Sequence, residues 1–321
     1  MGFQRCAYAD LLPPEVAVVG FDFSPQMNPK VKTYAMPVAI AAGIVFHNFF
    51  GRFGWLSPYI IFAMLFVTFT RVRAKELRAQ RIHLGELAVQ LVASIGLYLL
   101  LRWCGVGEII CQGAMICVFV PTAMASVVVG GMLGANVAQM TTFTLLSHLA
   151  MALLGPVVFS FVGVHGDMPF LTSFWMVFRR LLLLVVLPFV VAQLLDKVSA
   201  KAYRYVREHQ QWSFYLWVIS LVIVMGETTN FILAQPCEMI PTEIVLGVVA
   251  GVLCVAQFAL GRWWGRRNGD EIGGSQSMGQ KNTLLAIILS QSYLNPLASV
   301  APVAYIVWQN LMNSWQLSQK K

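Results

Sequence analysis

The chain has 321 residues, 58% of them hydrophobic and only 11% charged, with a mean hydropathy of +0.70. Soluble domains carry about 25% charged residues, so the composition excludes a soluble globular domain and places the chain in a membrane. A net charge of +8 would suit a nucleic-acid binder, but the basic residues fall between apolar runs and form no single patch, so no nucleic-acid partner is expected. Those runs are about 15–25 residues long, which suits helices crossing a hydrocarbon core of roughly 30 Å. A transmembrane β-barrel would show shorter alternating segments. The expected fold is an all-α polytopic membrane protein surrounded by lipid.

Residues 1–33, with Pro13, Pro14 and Pro25, read as a polar cytoplasmic tail. No basic stretch leads into an apolar one as in a signal peptide. Cys6 stands where a myristoylation motif wants Ser or Thr. Met27 is an alternative start to Met1. Ten apolar spans follow over 34–316, at 34–50, 56–70, 82–103, 107–131, 136–162, 171–195, 212–233, 241–261, 273–294 and 297–316, and residues 317–321 form a second tail. Lys30 and Lys32 precede the first span; Arg71, Arg73, Lys75, Arg78 and Arg81 separate the second and third. Lys197, Lys201, Arg204 and Arg207 separate the sixth and seventh, Arg262, Arg266 and Arg267 the eighth and ninth, and Lys320-Lys321 close the chain. The opposite side receives Arg52 and Arg102. This alternation predicts both termini in the cytoplasm, with a bacterial inner (plasma) membrane as the expected location.

Ten spans divide as five plus five, and a unit with an odd number of spans must be inserted upside down the second time. The third span of each half carries a glutamine in apolar surroundings, Gln90 and Gln257. The fourth span of each half is interrupted. The first interruption reads P-T-A-M-A-S-V-V-V-G-G from Pro121, and the second G-G-S-Q-S-M-G-Q-K-N-T over 273–283. In hydrocarbon each unsatisfied backbone group costs several kcal/mol, so such breaks survive only where protein or a wet cavity surrounds them. Matched breaks in two halves point to a transporter's binding site, where helix N-termini offer N–H groups and positive dipole ends to an anion. Read blandly, Gly and Pro in membrane helices mean only kinks.

The end of the chain, G-Q-K-N-T-L-L-A-I-I-L-S-Q-S-Y-L-N-P-L-A-S-V-A-P-V-A-Y-I-V-W-Q-N, resembles the bile acid:sodium symporter superfamily, whose ninth helix carries E-x-G-M-Q-N-S-x-L-A. P-T-A-M-A-S-V, G-A-N-V-A and L-L-G-P-V-V in the fourth and fifth spans fit the same family, as does F-G-W-L-S-P-Y-I-I-F near the second. The resemblance implies a ten-helix inverted repeat with broken, crossing helices 4 and 9. It further implies a panel (34–70 and 171–233) moving against a core (82–162 and 241–316), around a site for sodium and an organic anion.

Residue by residue, the family's first sodium site maps onto Ser126 and Thr144. Val127 and Met140 replace two other ligands, however, and Ser277 stands where the family has Glu. The second site maps onto Gln90 and the Gly279-Gln280 turn, but Lys281 replaces a glutamine. The resemblance places Thr122, Ala123, Met124, Asn282, Thr283 and Asn310 along the substrate cavity, with Gln309 in place of a histidine. The sodium ligands are thus partly lost, and no other metal and no cofactor are expected. A charge at mid-bilayer costs at least about 2.5–3.5 kcal/mol, so Lys281 needs partners there. The sharp expectation is a built-in cation that makes transport sodium-independent or proton-coupled; the bland one is a lysine snorkelling to the cytoplasm.

Glu86, one helical turn before Gln90, is a candidate partner for Lys281 or merely a helix-end acid. His148, four residues after Thr144, is a relay or a structural histidine. Glu227, Glu238 and Glu243 are expected to be solvated. The six cysteines form no C-x-x-C pair and read as plain thiols. No H-E-x-x-H, G-x-S-x-G or P-loop is present, so no enzyme is expected. The expected function is secondary transport of a small organic anion by alternating access. The alternatives are a non-transporting sensor or scaffold on the same fold, or an inorganic oxyanion permease. Substrate identity, direction and oligomeric state carry no sequence signal.

Overall fold

The computed structural model describes residues 29–70, 80–123, 125–163, 170–209 and 211–319. Residues 1–28, Met124, Lys320-Lys321 and the loop with Arg71, Arg73, Lys75 and Arg78 lie outside the described residues. The chain folds as α1 (Pro29–Val45), α2 (His47–Phe50), a 3-10 turn Gly51–Leu56, α3 (Ser57–Phe69), α4 (Arg81–Trp103), α5 (Glu108–Phe119), α6 (Ala125–Leu133) and α7 (Val137–Val162). It continues with α8 (Phe170–Leu181), a π-helical turn Leu182–Val186, α9 (Leu187–Val198), α10 (Ala200–Glu208), α11 (Gln211–Leu233) and α12 (Ile240–Arg267). The chain closes with α13 (Glu271–Gly279), α14 (Thr283–Tyr293) and α15 (Val300–Gln319). Among the described residues, extended pairing is confined to one isolated bridge, Thr122 with Lys281.

Among the described residues, five helical stretches are long and apolar enough to cross a membrane: His47–Phe69, Arg81–Trp103, Val137–Val162, Tyr215–Leu233 and Cys237–Arg267. At 1.5 Å per residue, helices as short as α5, α6, α13 and α14 fall well below the roughly 30 Å of a hydrocarbon core. The outer surface is strongly apolar, and polar groups are enclosed beside the hydrophobic core. Trp103 (85% exposed), Phe161 (75%), Leu171 (74%) and Val92 (71%) face outward, while Thr122, Ser126, Thr144, His148 and Gln276 are fully enclosed. Water rewards the opposite arrangement, so the solvent that matches this surface is lipid.

On one side of the molecule α1, α3 and the 3-10 turn pack on α11, and α9 packs on α3. On the other, α12 lies along α13, α15 and α5, with α4 against α5. The closest approach is between α12 and α13. A Cβ built on Gly274 would lie 2.4 Å from the Gly261 carbonyl oxygen and 2.8 Å from Gly265 Cα. Small residues of this kind let membrane helices approach backbone to backbone. The glycine-rich start of the second interrupted stretch is therefore regular helix. The break itself is confined to Gln280, Lys281 and Asn282, and the glycines serve packing. Helix α1 also begins earlier than the expected first span, at Pro29, where a missing N–H costs nothing.

Candidate functional site: two helix breaks joined at Thr122 and Lys281

Two interruptions, Val120–Ala123 after α5 and Gln280–Asn282 between α13 and α14, meet in the interior. The Ala123 N–H donates to the Gln280 carbonyl (3.0 Å) and the Asn282 N–H to the Pro121 carbonyl (2.8 Å). The Thr122 hydroxyl donates to the Ser277 carbonyl at 2.6 Å, and the Thr122 N–H to Ser147 Oγ at 3.3 Å. These bonds replace the helical ones that each chain gives up at the crossing.

The end of α5 shows why the break needs particular side chains. A helix that stops leaves its last carbonyls without N–H partners. Pro121 has no N–H for the Cys117 carbonyl, and Gln257 of α12 supplies a donor instead, at 3.3 Å. The Val118 carbonyl accepts from Lys281 Nζ at 3.0 Å. Those of Phe119 and Val120 both accept from Gln90 Nε2 of α4, at 2.7 and 2.9 Å. Four freed carbonyls are thus covered by three side chains from three other segments. The ammonium also sits at the negative end of the α5 dipole, the place on a helix that favours a cation.

The end of α13 is closed in a similar way. The Tyr305 hydroxyl donates to the Gly279 carbonyl at 2.8 Å and accepts from Gln257 Nε2 at 3.0 Å, so Gln257 bonds the α5 end directly and the α13 end through Tyr305. The Lys281 N–H donates to Gln309 Oε1 at 3.0 Å. Gln280 joins an amide cluster with Gln276 and Asn313, and Gln276 continues it to Gln316 at 2.8 Å. The opposite helix ends present N–H groups to the break. Asn282 caps α14 by accepting from the Leu285 N–H (3.3 Å), and its amide meets His148 Nε2 at 3.3 Å. His148 Nδ1 bonds the Thr144 carbonyl at 2.8 Å, which makes Nδ1 the donor and leaves Nε2 to accept. That is a structural pairing at the crossing.

The structure brings together Thr122, Ala123, Gln90, Ser277, Gln280, Lys281, Asn282 and Thr283, whose N–H donates to the Lys281 carbonyl at 2.8 Å. Ser126 is fully buried with its hydroxyl unpartnered, and Thr144 turns its hydroxyl back to the Met140 carbonyl (2.8 Å). Asn310 does the same toward Ile306 at 2.7 Å and makes no bond to the break. Met124 lies outside the described residues. Glu86 is buried but forms no ion pair with Lys281, whose partner is a backbone carbonyl. Glu227, expected in solvent, is half-buried in α11 against Gly54.

Sequence reasoning missed Tyr305, Gln276, Asn313 and Gln316. A signal existed: Gln309, Asn313 and Gln316 recur at the three-to-four-residue spacing that puts them on one helix face.

The capping role of Gln90 is open to measurement. Gln90→Leu strands the Phe119 and Val120 carbonyls, each at a cost of about 1–3 kcal/mol. The expected result is a lower melting temperature in detergent, followed by a thiol-reactive dye as the buried Cys111, Cys117 and Cys254 become exposed. An unchanged melt would remove the capping assignment.

The profile of the sodium bile acid symporter family matches residues 56–235, which is more than half of the chain and includes the first break but not the second. No curated protein matches the chain. With its apolar helices, lipid-facing surface and internal polar crossing, the chain belongs to the sodium bile acid symporter family, a family of membrane transporters.

Proposed function

We propose that the chain is a secondary transporter of a small organic anion in which the ammonium of Lys281 takes the place of a coupling sodium ion. The observation that carries this reading is the position of Lys281, 2% exposed, with Nζ bonded to the Val118 carbonyl beside the two carbonyls held by Gln90. Oxygens that would gather around a sodium ion are covered there by a fixed cation and an amide. Of the other positions, Ser126 offers one free hydroxyl, but Thr144 spends its hydroxyl on Met140 and Val127 and the Met140 thioether are apolar, which leaves few hard ligands for sodium. Positive charge, together with the N-termini of α6 and α14 at the same break, suits a carboxylate.

In this reading the helices form ten spans as a five-plus-five inverted repeat. α5–α6 and α13–α14 are the broken fourth and ninth helices. The elements gathered around α11 act as a panel that rocks against the core holding both breaks, exposing the crossing to each side in turn. The basic segments then lie in the cytoplasm with both termini, and the membrane is a bacterial inner membrane.

The test is uptake of radiolabelled cholate and pantoate by proteoliposomes, with sodium and with choline as its replacement. Equal uptake in the two media is expected; a steep sodium requirement overturns the role given to Lys281. Binding without flux would assign the chain instead to a sensor or scaffold on the same fold.

A further inference from the structure

A second buried polar feature lies off the crossing. Glu86 of α4 is 1% exposed, and its Oε1 has no hydrogen-bond partner. One helical turn earlier, His83 is equally buried. Its Nδ1 accepts from the Gln80 N–H at 3.1 Å, so the ring hydrogen is on Nε2, which is also unpartnered. The Gln139 backbone is close enough to act on this ring without closing a hydrogen bond. Residues three apart share a helix face, and both side chains line one cavity of about 10 Å³ with Gln139, Met140, Asp270 and Ser277. That is room for about one water-sized species. The cavity lies at the N-terminal end of α13, which follows the last turn of α12 with Arg266 and Arg267.

The charged and titratable groups around Glu86 are few. Its own helix presents His83, the α12–α13 turn presents Asp270, and the break presents Lys281, close enough for its charge to act on Glu86 without an ion-pair contact. From α7, Gln139 and Met140 bring no charge. Asp270 is occupied: Oδ1 accepts from the Gly273 N–H (2.8 Å) and Oδ2 from the Asn136 N–H (3.0 Å). Outside the cavity, Glu271 pairs with Arg266 at 2.9 Å and Arg262 at 3.1 Å, and the hydrogen bond from Arg266 holds its carboxyl below the usual range. A metal ion would need several free oxygens, whereas a proton needs one. Glu86 offers one.

We propose that Glu86 is a proton-binding site whose occupancy sets how strongly Lys281 attracts the transported anion. When the cavity is open to water, hydronium gives its proton to the Glu86 carboxylate, leaving the carboxylic acid and a water molecule; the reverse step returns the proton. With Glu86 neutral, the Lys281 charge is uncompensated and draws the anion. With Glu86 ionised, the two charges offset each other and the anion is released. Such coupling is reciprocal, so the bound anion also retains the proton. The linkage to anion rests on the transport reading above; the proton site does not.

Two measurements separate the two claims. Infrared difference spectra of the purified protein across a pH series carry a carboxyl band that titrates in the wild type and is missing in Glu86→Gln. Glu86→Asp, which keeps an acid one methylene shorter, shifts the band without deleting it and serves if the glutamine variant does not fold. Uptake of labelled cholate and pantoate rises as pH falls, by up to about tenfold per pH unit for one linked proton, and Glu86→Gln loses that dependence. A titrating Glu86 band with no uptake of either anion keeps the proton site and overturns the transport reading. Absence of a Glu86-dependent band, an unchanged pH dependence of uptake in Glu86→Gln, or a sodium requirement that this variant abolishes overturns the proposal.

Discussion

If the proposed transport function holds, Lys281→Met is expected to abolish anion uptake by the reconstituted protein, cutting the rate by about a hundredfold or more while leaving the fold intact. The magnitude follows from the setting. Lys281 is 2% exposed at the bridge to Thr122, where α13 ends and α14 begins, and its Nζ is bonded to the Val118 carbonyl. In the proposed function Lys281 pairs with the bound anion; removing one partner of such a buried, hydrogen-bonded charge pair costs about 2–5 kcal/mol, and each 1.36 kcal/mol is tenfold in rate. Stability responds differently. Deleting a buried charge relieves its desolvation, while the Val118 carbonyl loses a donor, a cost of about 1–3 kcal/mol. The two effects oppose each other, so the melting temperature moves little while transport collapses. Uptake and a dye-based melt on the same preparation check this. Wild-type rates in the Met variant would assign Lys281 to a structural role.

The second large effect is on folding. Gly274→Leu is expected to destabilise the protein by about 3 kcal/mol or more, enough to remove it from the membrane fraction in expression trials. At this position the obstacles are backbone atoms: a Cβ added there would lie 2.4 Å from the Gly261 carbonyl oxygen and 2.8–2.9 Å from Gly265. Backbone cannot rotate aside as a side chain can. Overpacking a close helix contact costs about 1–3 kcal/mol per site even where side chains can yield. Separating α12 from α13 would also pull Tyr305 and Gln257 away from the helix ends they cap. Gly96, with nothing within 4 Å of its Cβ position, is the control, and Gly96→Ala leaves expression and melting unchanged. Equal yields of Gly274→Leu and wild type would show that the α12–α13 approach is not what these glycines serve.

Much of the site is readable from residue types. A proline at 121 in an apolar run must free a carbonyl four residues earlier, and a lysine at 281 in another such run must find an acceptor. The interruption at Pro121, the helical membrane class and the family follow from that pattern and from the motifs around Pro121 and Gly279, whereas the second interruption, expected over 273–283, occupies only Gln280–Asn282. Polar periodicity on α15 also marks one face, but nothing in its spacing ties that face to the break.

Which groups satisfy one another is settled only by tertiary structure. Lys281 reaches Val118, 163 residues away, and passes over Glu86, the acid that composition suggests. Gln90 and Gln257, alike in sequence as glutamines in apolar helices, converge on the same helix end from different sides. Gly273 and Gly274 look like the break and are helix, because a glycine's lack of a side chain serves close packing as readily as it serves a turn. The chain's own residues determined that apolar runs would be interrupted near Pro121 and Lys281 and that polar groups would be needed there. A freed carbonyl accepts from whichever donor the fold brings within about 3 Å, and one-dimensional spacing contains no such distance. The tertiary fold alone decided that Lys281 closes α5 and that Glu86 is left with a cavity of its own.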